Sequence, residues 1–201
     1  MRPRAAPPIC YRVHRGRCSV YAVGPRSRDP LLALACYLRS VQTAAGEVLA
    51  VREVAPHVGT CDVEIASAAS AVYEFRTPYY PGRAAYRRRP SPSDYTEIAW
   101  PGQATPHHAA RVAWAGTAIL SSVATWLREV CGLVPSPTRY LSVQVLEYRE
   151  RSRLEWARPD RELRDVRAGC VGVFAVNAIL PPGVGIGARC SEGFGEVWPC
   201  P

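Results

Sequence analysis

Five glycines fall within the thirteen residues from Gly183 to Gly195, in the segment PPGVGIGARCSEGFGEVWPCP that spans 181–201. That density belongs to backbone that must adopt positive φ or lie very close to another group. A phosphate is the ligand that best uses the N–H groups of such a loop, because several of them can converge on one anion. Arg189, in the middle of the loop, adds a guanidinium able to grip the same phosphate through paired hydrogen bonds. Two readings are open: a phosphate cradle, and a glycine-rich hairpin that only turns the chain. Competing glycine motifs fail on context. A dinucleotide-binding loop opens a helix and is followed by an acidic residue about 20 positions later, and a phosphate-loop NTPase needs a lysine.

The chain has none: all 25 basic residues are arginine. Lysine Schiff bases and lysine general bases are excluded with it, whether the arginine bias reflects function or a GC-rich genome. A length of 201 residues with 48% hydrophobic and 21% charged residues suits one sizeable core or two small domains packed together. The net charge of +8 favours an acidic partner, nucleic acid or an anionic membrane. Eight cysteines raise a disulfide scaffold, but the N-terminal MRPRAAPPICYRVHRGR lacks an apolar signal core. The cysteines read as reduced, no pair has C-x-x-C spacing, and neither a zinc site nor any other cofactor is expected. The longest apolar stretch, Ala109 to Leu127, is interrupted by Arg111, Thr117, Ser121 and Ser122 and makes a poor membrane span. A cytoplasmic protein without membrane contact is expected.

Along the chain, Cys10 to Val23 reads as one or two short strands with His14-Arg15-Gly16-Arg17 as a turn. A helix is expected over 29–43, with Asp29 as cap, Pro30 at its first position and Gly46 just past its end. Val48 to Val54 and Cys61 to Ile65 are strand candidates, so the first half reads β-α-β-β. Residues 77–106, rich in Pro, Tyr, Arg and Ser, form a long loop or insertion. A long helix follows from about His107 to Cys131, with Val112, Ile119, Val123, Trp126, Leu127 and Val130 towards the core and Gly132 as its stop. Tyr140 to Leu146 and Gly169 to Val176 read as strands. The class is α+β, built from ferredoxin-like (RRM-like) units, one complete and one degenerate. The expected division is an N-terminal domain (1–76), the basic insertion (77–106) and a C-terminal half (107–201) that carries the glycine-rich loop. A single α+β domain with a long insertion fits the same pattern.

The spacing of Gly185-Ile186-Gly187, five residues, then Gly193-Phe194-Gly195 and Glu196-Val197 resembles the C-terminal glycine-rich loop of the RAMP superfamily of CRISPR-associated proteins, in particular its CRISPR RNA-processing endoribonucleases, including the type IV processing proteins. The resemblance covers some twenty residues. It implies ferredoxin-like folds that bind CRISPR RNA as repeat hairpin or handle, with Gly183, Gly185, Gly187, Arg189, Gly193, Phe194 and Gly195 against the RNA backbone, and other CRISPR effector subunits as partners. Charge supports an RNA partner independently. Residues 1–28 carry seven arginines, Arg15, Arg17 and Arg26 among them, and no acid. A second patch, with Arg83, Arg87, Arg88 and Arg89, interleaves with Tyr79, Tyr80 and Tyr86, the combination that phosphate contact and base stacking require; a solvated loop is the plainer reading. The arginines of 149–167 are nearly balanced by acids and read as a salt-bridged exposed face.

Processing enzymes of that superfamily cut without metal, using the 2′-hydroxyl beside the scissile phosphate. The reaction needs that hydroxyl deprotonated, the phosphorane charge stabilised and the leaving oxygen protonated. Many members place a histidine on or near the first helix, whereas the helix expected here offers Tyr37 and Arg39. His14, in the preceding arginine-rich turn, is the first acid/base candidate, with Arg28 and Arg39 as electrostatic partners; an exposed turn histidine is the other reading. A processing endoribonuclease, a non-catalytic RNA-binding subunit of a CRISPR effector and an unrelated binder of polyanions all remain open.

Overall fold

The computed structural model describes residues 9–14, 17–22, 25–42, 46–55, 63–66, 71–82, 85, 87–91, 94, 101–134, 140–158, 161–190 and 193–201. Strands β1 (Ile9–His14) and β2 (Arg17–Ala22) pair antiparallel from Ile9 opposite Ala22 to His14 opposite Arg17. Helix α1 runs Pro25–Tyr37. This corrects the expected 29–43: Pro25 takes the opening position that suits a residue without an N–H, and Pro30 lies inside the helix. Beyond Tyr37 the chain turns to strand. β3 (Ser40–Gln42) pairs with β4 (Val48–Ala50), and Gly46, at φ 85°, serves the connection between them instead of the helix end.

Of the expected strand 61–65, Cys61 and Asp62 lie outside the described residues, and Ile65 forms a single bridge to Ala178. Backbone bonds from Ala66 N to Asn177 O (2.7 Å) and from Ile179 N to Glu64 O (3.0 Å) flank it. Buried Asn177 secures this clasp. Its Nδ2 donates to Ala66 O (3.0 Å) and Tyr140 O (2.8 Å), and its Oδ1 accepts from Ser142 N (2.7 Å).

The main sheet contains β5 (Ala71–Phe75), β6 (Val143–Arg158), β7 (Arg161–Val176), β8 (Val184–Gly185) and β9 (Glu196–Pro199), in the order β6-β7-β5-β9-β8 with antiparallel neighbours. α2 (Pro106–Trp126) crosses from β5 to β6 and packs on one face. Thr105 caps it by accepting from His108 N (3.1 Å), Pro106 opens it, and a π-helical turn, Leu127–Cys131, carries it to Gly132 at φ 72°. Ala115, Ala118, Ile119, Val123, Trp126 and Leu127 are buried with Tyr73, Phe75, Phe174, Val176 and Val197. Each large apolar side chain enclosed in this way stabilises the fold by about 1.5–3 kcal/mol. Phe75 links the aromatic part of the core, with ring centroids 5.0 Å from Tyr79 and 5.0 Å from Phe174. Val112 and Val130, expected in the core, are half-buried, and Arg111, read as an interruption of the apolar face, is buried. The observed class is thus mixed helix and antiparallel sheet.

Candidate functional site

The glycines of the C-terminal loop are placed by contacts with the protein itself. A Cβ on Gly187 (φ 95°) would stand 2.6 Å from both Tyr79 Cε2 and Tyr80 O, and one on Gly195 (φ 67°) would stand 2.0 Å from Ile186 O. The loop is clasped to the segment that follows β5: Ala188 N donates to Tyr80 O (2.7 Å), Gly195 N to Pro78 O (3.0 Å) and Glu196 N to Thr77 Oγ1 (2.9 Å). Further amides turn inward, with Gly183 N on Val197 O, Ile186 N on Gly195 O, Gly193 N on Cys190 O and Phe194 N on Arg189 O. Most of the N–H groups that suggested an anion cradle therefore already have acceptors within the fold. The loop also carries side chains able to contact a ligand. Phe194 sets its ring edge-on against Tyr80 at 5.2 Å, and Arg189, half-buried, has φ 61°, the one positive φ at a non-glycine among the described residues. That conformation costs about 1–2 kcal/mol and points to a local constraint on where this arginine sits.

Of the residues proposed for chemistry, Arg28, Tyr37 and Arg39 are exposed, and no hydrogen bond or ion pair among the described residues joins them. Nine residues along one helix separate Arg28 from Tyr37, which places them on opposite faces and about 13 Å apart along the axis. Arg15 and Arg83 lie outside the described residues, as do the side chains of His14, Arg17 and Arg26.

The structure assembles a second constellation that the sequence reading missed. Glu150 Oε1, on β6, accepts from Arg89 Nη2 (2.9 Å), from Arg111 Nη1 and from the Tyr148 hydroxyl (3.1 Å). Arg111, 5% exposed, also donates from Nε to His107 Nε2 (3.0 Å), so that lone pair is not open to a substrate. Burial is the largest influence on Glu150 and pulls its carboxyl up; the adjacent Arg89 and Arg111 charges outweigh it and hold the group below the ordinary carboxylate range. Burial raises the Tyr148 phenol, and the Glu150 charge adds to it. The nearby Cys170 thiol is pushed up to about 12, chiefly by burial. An arginine interrupting an apolar helix face, at Arg111, was the sequence signal for a buried ion pair; its partner, 39 residues away, had none.

On the β6–β7 hairpin the strand register places Arg151 opposite Gly169, Arg153 opposite Ala168, Arg167 opposite Leu154 and Arg158 opposite Arg161. No arginine of this register stands directly across from an acid. The ion pair described there runs along β6, from Arg149 to Glu147 (2.8 Å). The side chains of 151–168, on which the expected salt-bridged face depends, lie outside the described set. Among the described residues no group of His, Cys, Asp and Glu could hold a metal ion, Cys36, Cys131, Cys170, Cys190 and Cys200 are free thiols, and no helix is long and apolar enough to cross a membrane.

No protein-family model matches the chain, and no curated protein matches its sequence. Solved structures do match. A Cas6b protein superposes with TM-score 0.74 at 14% identity, covering 98% of this chain and 79% of its own. A CRISPR RNA processing endoribonuclease, also Cas6b, gives TM-score 0.66 at 15% identity, with 98% and 83% covered. Csf5, the Cas6 crRNA endonuclease of a type IV CRISPR-Cas system, gives 0.58 at 16% identity, with 98% and 68% covered. The chain has a Cas6-like fold.

Proposed function

We propose that this protein binds CRISPR RNA and cleaves precursor repeat RNA without metal, remaining bound to its product. The observation that carries the reading is the match over 98% of the chain to Cas6-fold structures, two of them named as CRISPR RNA endonucleases. The strand order supports the RAMP-type ferredoxin-like unit: with β5 taken as first, β6, β7 and β9 complete a 4-1-3-2 sheet crossed by α2, the split βαβ pattern. The glycine-rich loop replaces the second crossover helix. The first half, residues 1–76, supplies the other, degenerate unit, although β5 joins the second sheet, and 77–106 is the basic insertion.

In the proposed reaction the 2′-hydroxyl attacks the adjacent phosphorus, the bond from phosphorus to the 5′ oxygen breaks, and a 2′,3′-cyclic phosphate and a 5′-hydroxyl form. One group takes the 2′ proton and another returns a proton to the leaving oxygen. His14 is assigned to proton transfer. We assign Arg39 and Tyr37 to stabilising the phosphorane; Arg28, on the face of α1 opposite Tyr37, is assigned to RNA binding with Arg15, Arg17, Arg26, Arg189 and the exposed arginines of the insertion.

The test incubates the purified protein with labelled repeat RNA in EDTA. A single discrete cut, abolished by a 2′-deoxy nucleotide at the cut site, is the expected result. Tight binding with the RNA left intact would instead make the chain a non-catalytic RNA-binding subunit of a CRISPR effector.

A further inference from the structure

Two fixed points hold the basic turn of the insertion. Trp114 Nε1, on α2, donates to Ala85 O (2.8 Å), and four residues later Arg89 reaches Glu150. Between them Arg88 N closes a turn onto Ala85 O (3.1 Å), and Arg87 and Arg88 project exposed. Just beyond, Ser91 N donates to Asp94 Oδ2 (2.7 Å). Glu150 is the hub: one carboxylate oxygen joins the insertion through Arg89, helix α2 through Arg111, and its own strand through Tyr148.

We infer that Glu150 is a positioning residue for RNA binding, which holds the turn so that Arg87 and Arg88 meet two phosphates of the RNA backbone. The inference rests on the RNA-binding reading above. An acidic residue inside a basic patch weakens long-range attraction for a polyanion, so its presence needs a compensating role. Here the carboxylate is the shared anionic partner of the two guanidiniums that turn inward, Arg89 and the buried Arg111, and leaves the two exposed ones, Arg87 and Arg88, to a ligand. Two arginines, Arg89 and Arg111, share this one carboxylate, and with Arg87 and Arg88 exposed beside Arg89 the patch stays basic. A short segment pinned at both ends presents its side chains with little ordering left to do on binding.

The experiment measures the salt dependence of repeat-RNA binding for the full chain and its R87Q/R88Q, E150Q and R87Q/R88Q/E150Q variants. Losing two phosphate contacts to a single strand lowers the slope of log K against log salt by about 1.4. R87Q/R88Q is expected to show that drop, E150Q alone a comparable one, and the triple variant no further loss. Because E150Q leaves Arg111 buried without its carboxylate, E150Q/R111M is measured beside it, with the active fraction of each variant set by stoichiometric titration. A fold defect lowers the active fraction and leaves the slope unchanged. If R87Q/R88Q lowers the slope while E150Q and E150Q/R111M keep the wild-type value, or if the effects add, Glu150 is not a positioning residue and the RNA reading stands. If R87Q/R88Q itself keeps the wild-type slope, the turn does not meet phosphate, and the RNA reading of this surface falls together with the inference.

Discussion

Replacing Gly187 by alanine tests whether the glycine-rich loop is held by the protein's own packing. The new Cβ would meet Tyr79 Cε2 and Tyr80 O, each at 2.6 Å, on a backbone with φ 95°. Tyr79 cannot easily yield: it is fully buried, stacked on Phe75, and bonded through its hydroxyl to Ser122 Oγ (2.9 Å). The left-handed conformation costs an L-residue about 1–2 kcal/mol, and overpacking of a filled site about 1–3 kcal/mol more. A loss of about 3 kcal/mol is therefore expected, which for a domain of this size lowers the melting temperature by roughly 6–12 °C. Thermal unfolding followed by circular dichroism measures it. Gly116→Ala is the control with the opposite sign. In the middle of α2 its Cβ would make only an ordinary 3.6 Å contact with Val145 Cγ2, and removing a helical glycine stabilises by about 0.5–1 kcal/mol. If Gly187→Ala melts with the wild type, the loop is not packed as described.

Asn177→Ala removes three hydrogen bonds, one to Ala66 O and two to the Tyr140–Ser142 segment, and should cost about 3 kcal/mol, read as a lower denaturant midpoint. Acid stability carries the mark of Glu150. Its carboxyl is held down in the folded state, so the stabilisation is present above the unfolded value near 4.3 and disappears as pH falls through the lower folded value; E150Q should flatten that part of a stability-versus-pH curve and leave the neutral-pH side of the curve parallel to the wild type. Alkylation at pH 8 should modify exposed Cys36 in the native protein, whereas buried Cys170, pushed up to about 12, should react only after unfolding, as peptide mass mapping would show.

The readable parts of the fold were those whose cause is local. The β1 and β2 strands follow from the runs on either side of residues 15–16, and α2 from the helical spacing of Ile119, Val123, Trp126 and Leu127 and from Gly132 as its stop. α1 misled because two prolines, Pro25 and Pro30, compete for its first position and only tertiary context chooses. β5 escaped because it has five residues, and its partners on β7 and β9 lie about a hundred or more positions away. The glycine loop was legible as a demand for positive φ, met at Gly183, Gly187, Gly193 and Gly195. What those glycines accommodate was not legible, since Tyr79 and Tyr80 stand more than a hundred residues earlier. The same distance effect hid the Glu150 hub, where each partner looks like one more surface charge until α2 is laid on β6.

The chemistry at the newly formed RNA ends tests the central claim most directly. Repeat RNA is incubated with the protein in EDTA and the products are weighed by mass spectrometry. The account predicts one 5′ fragment ending in a 2′,3′-cyclic phosphate and one 3′ fragment beginning with a 5′-hydroxyl. Uncut RNA, or fragments carrying a 3′-hydroxyl and a 5′-phosphate, would contradict it.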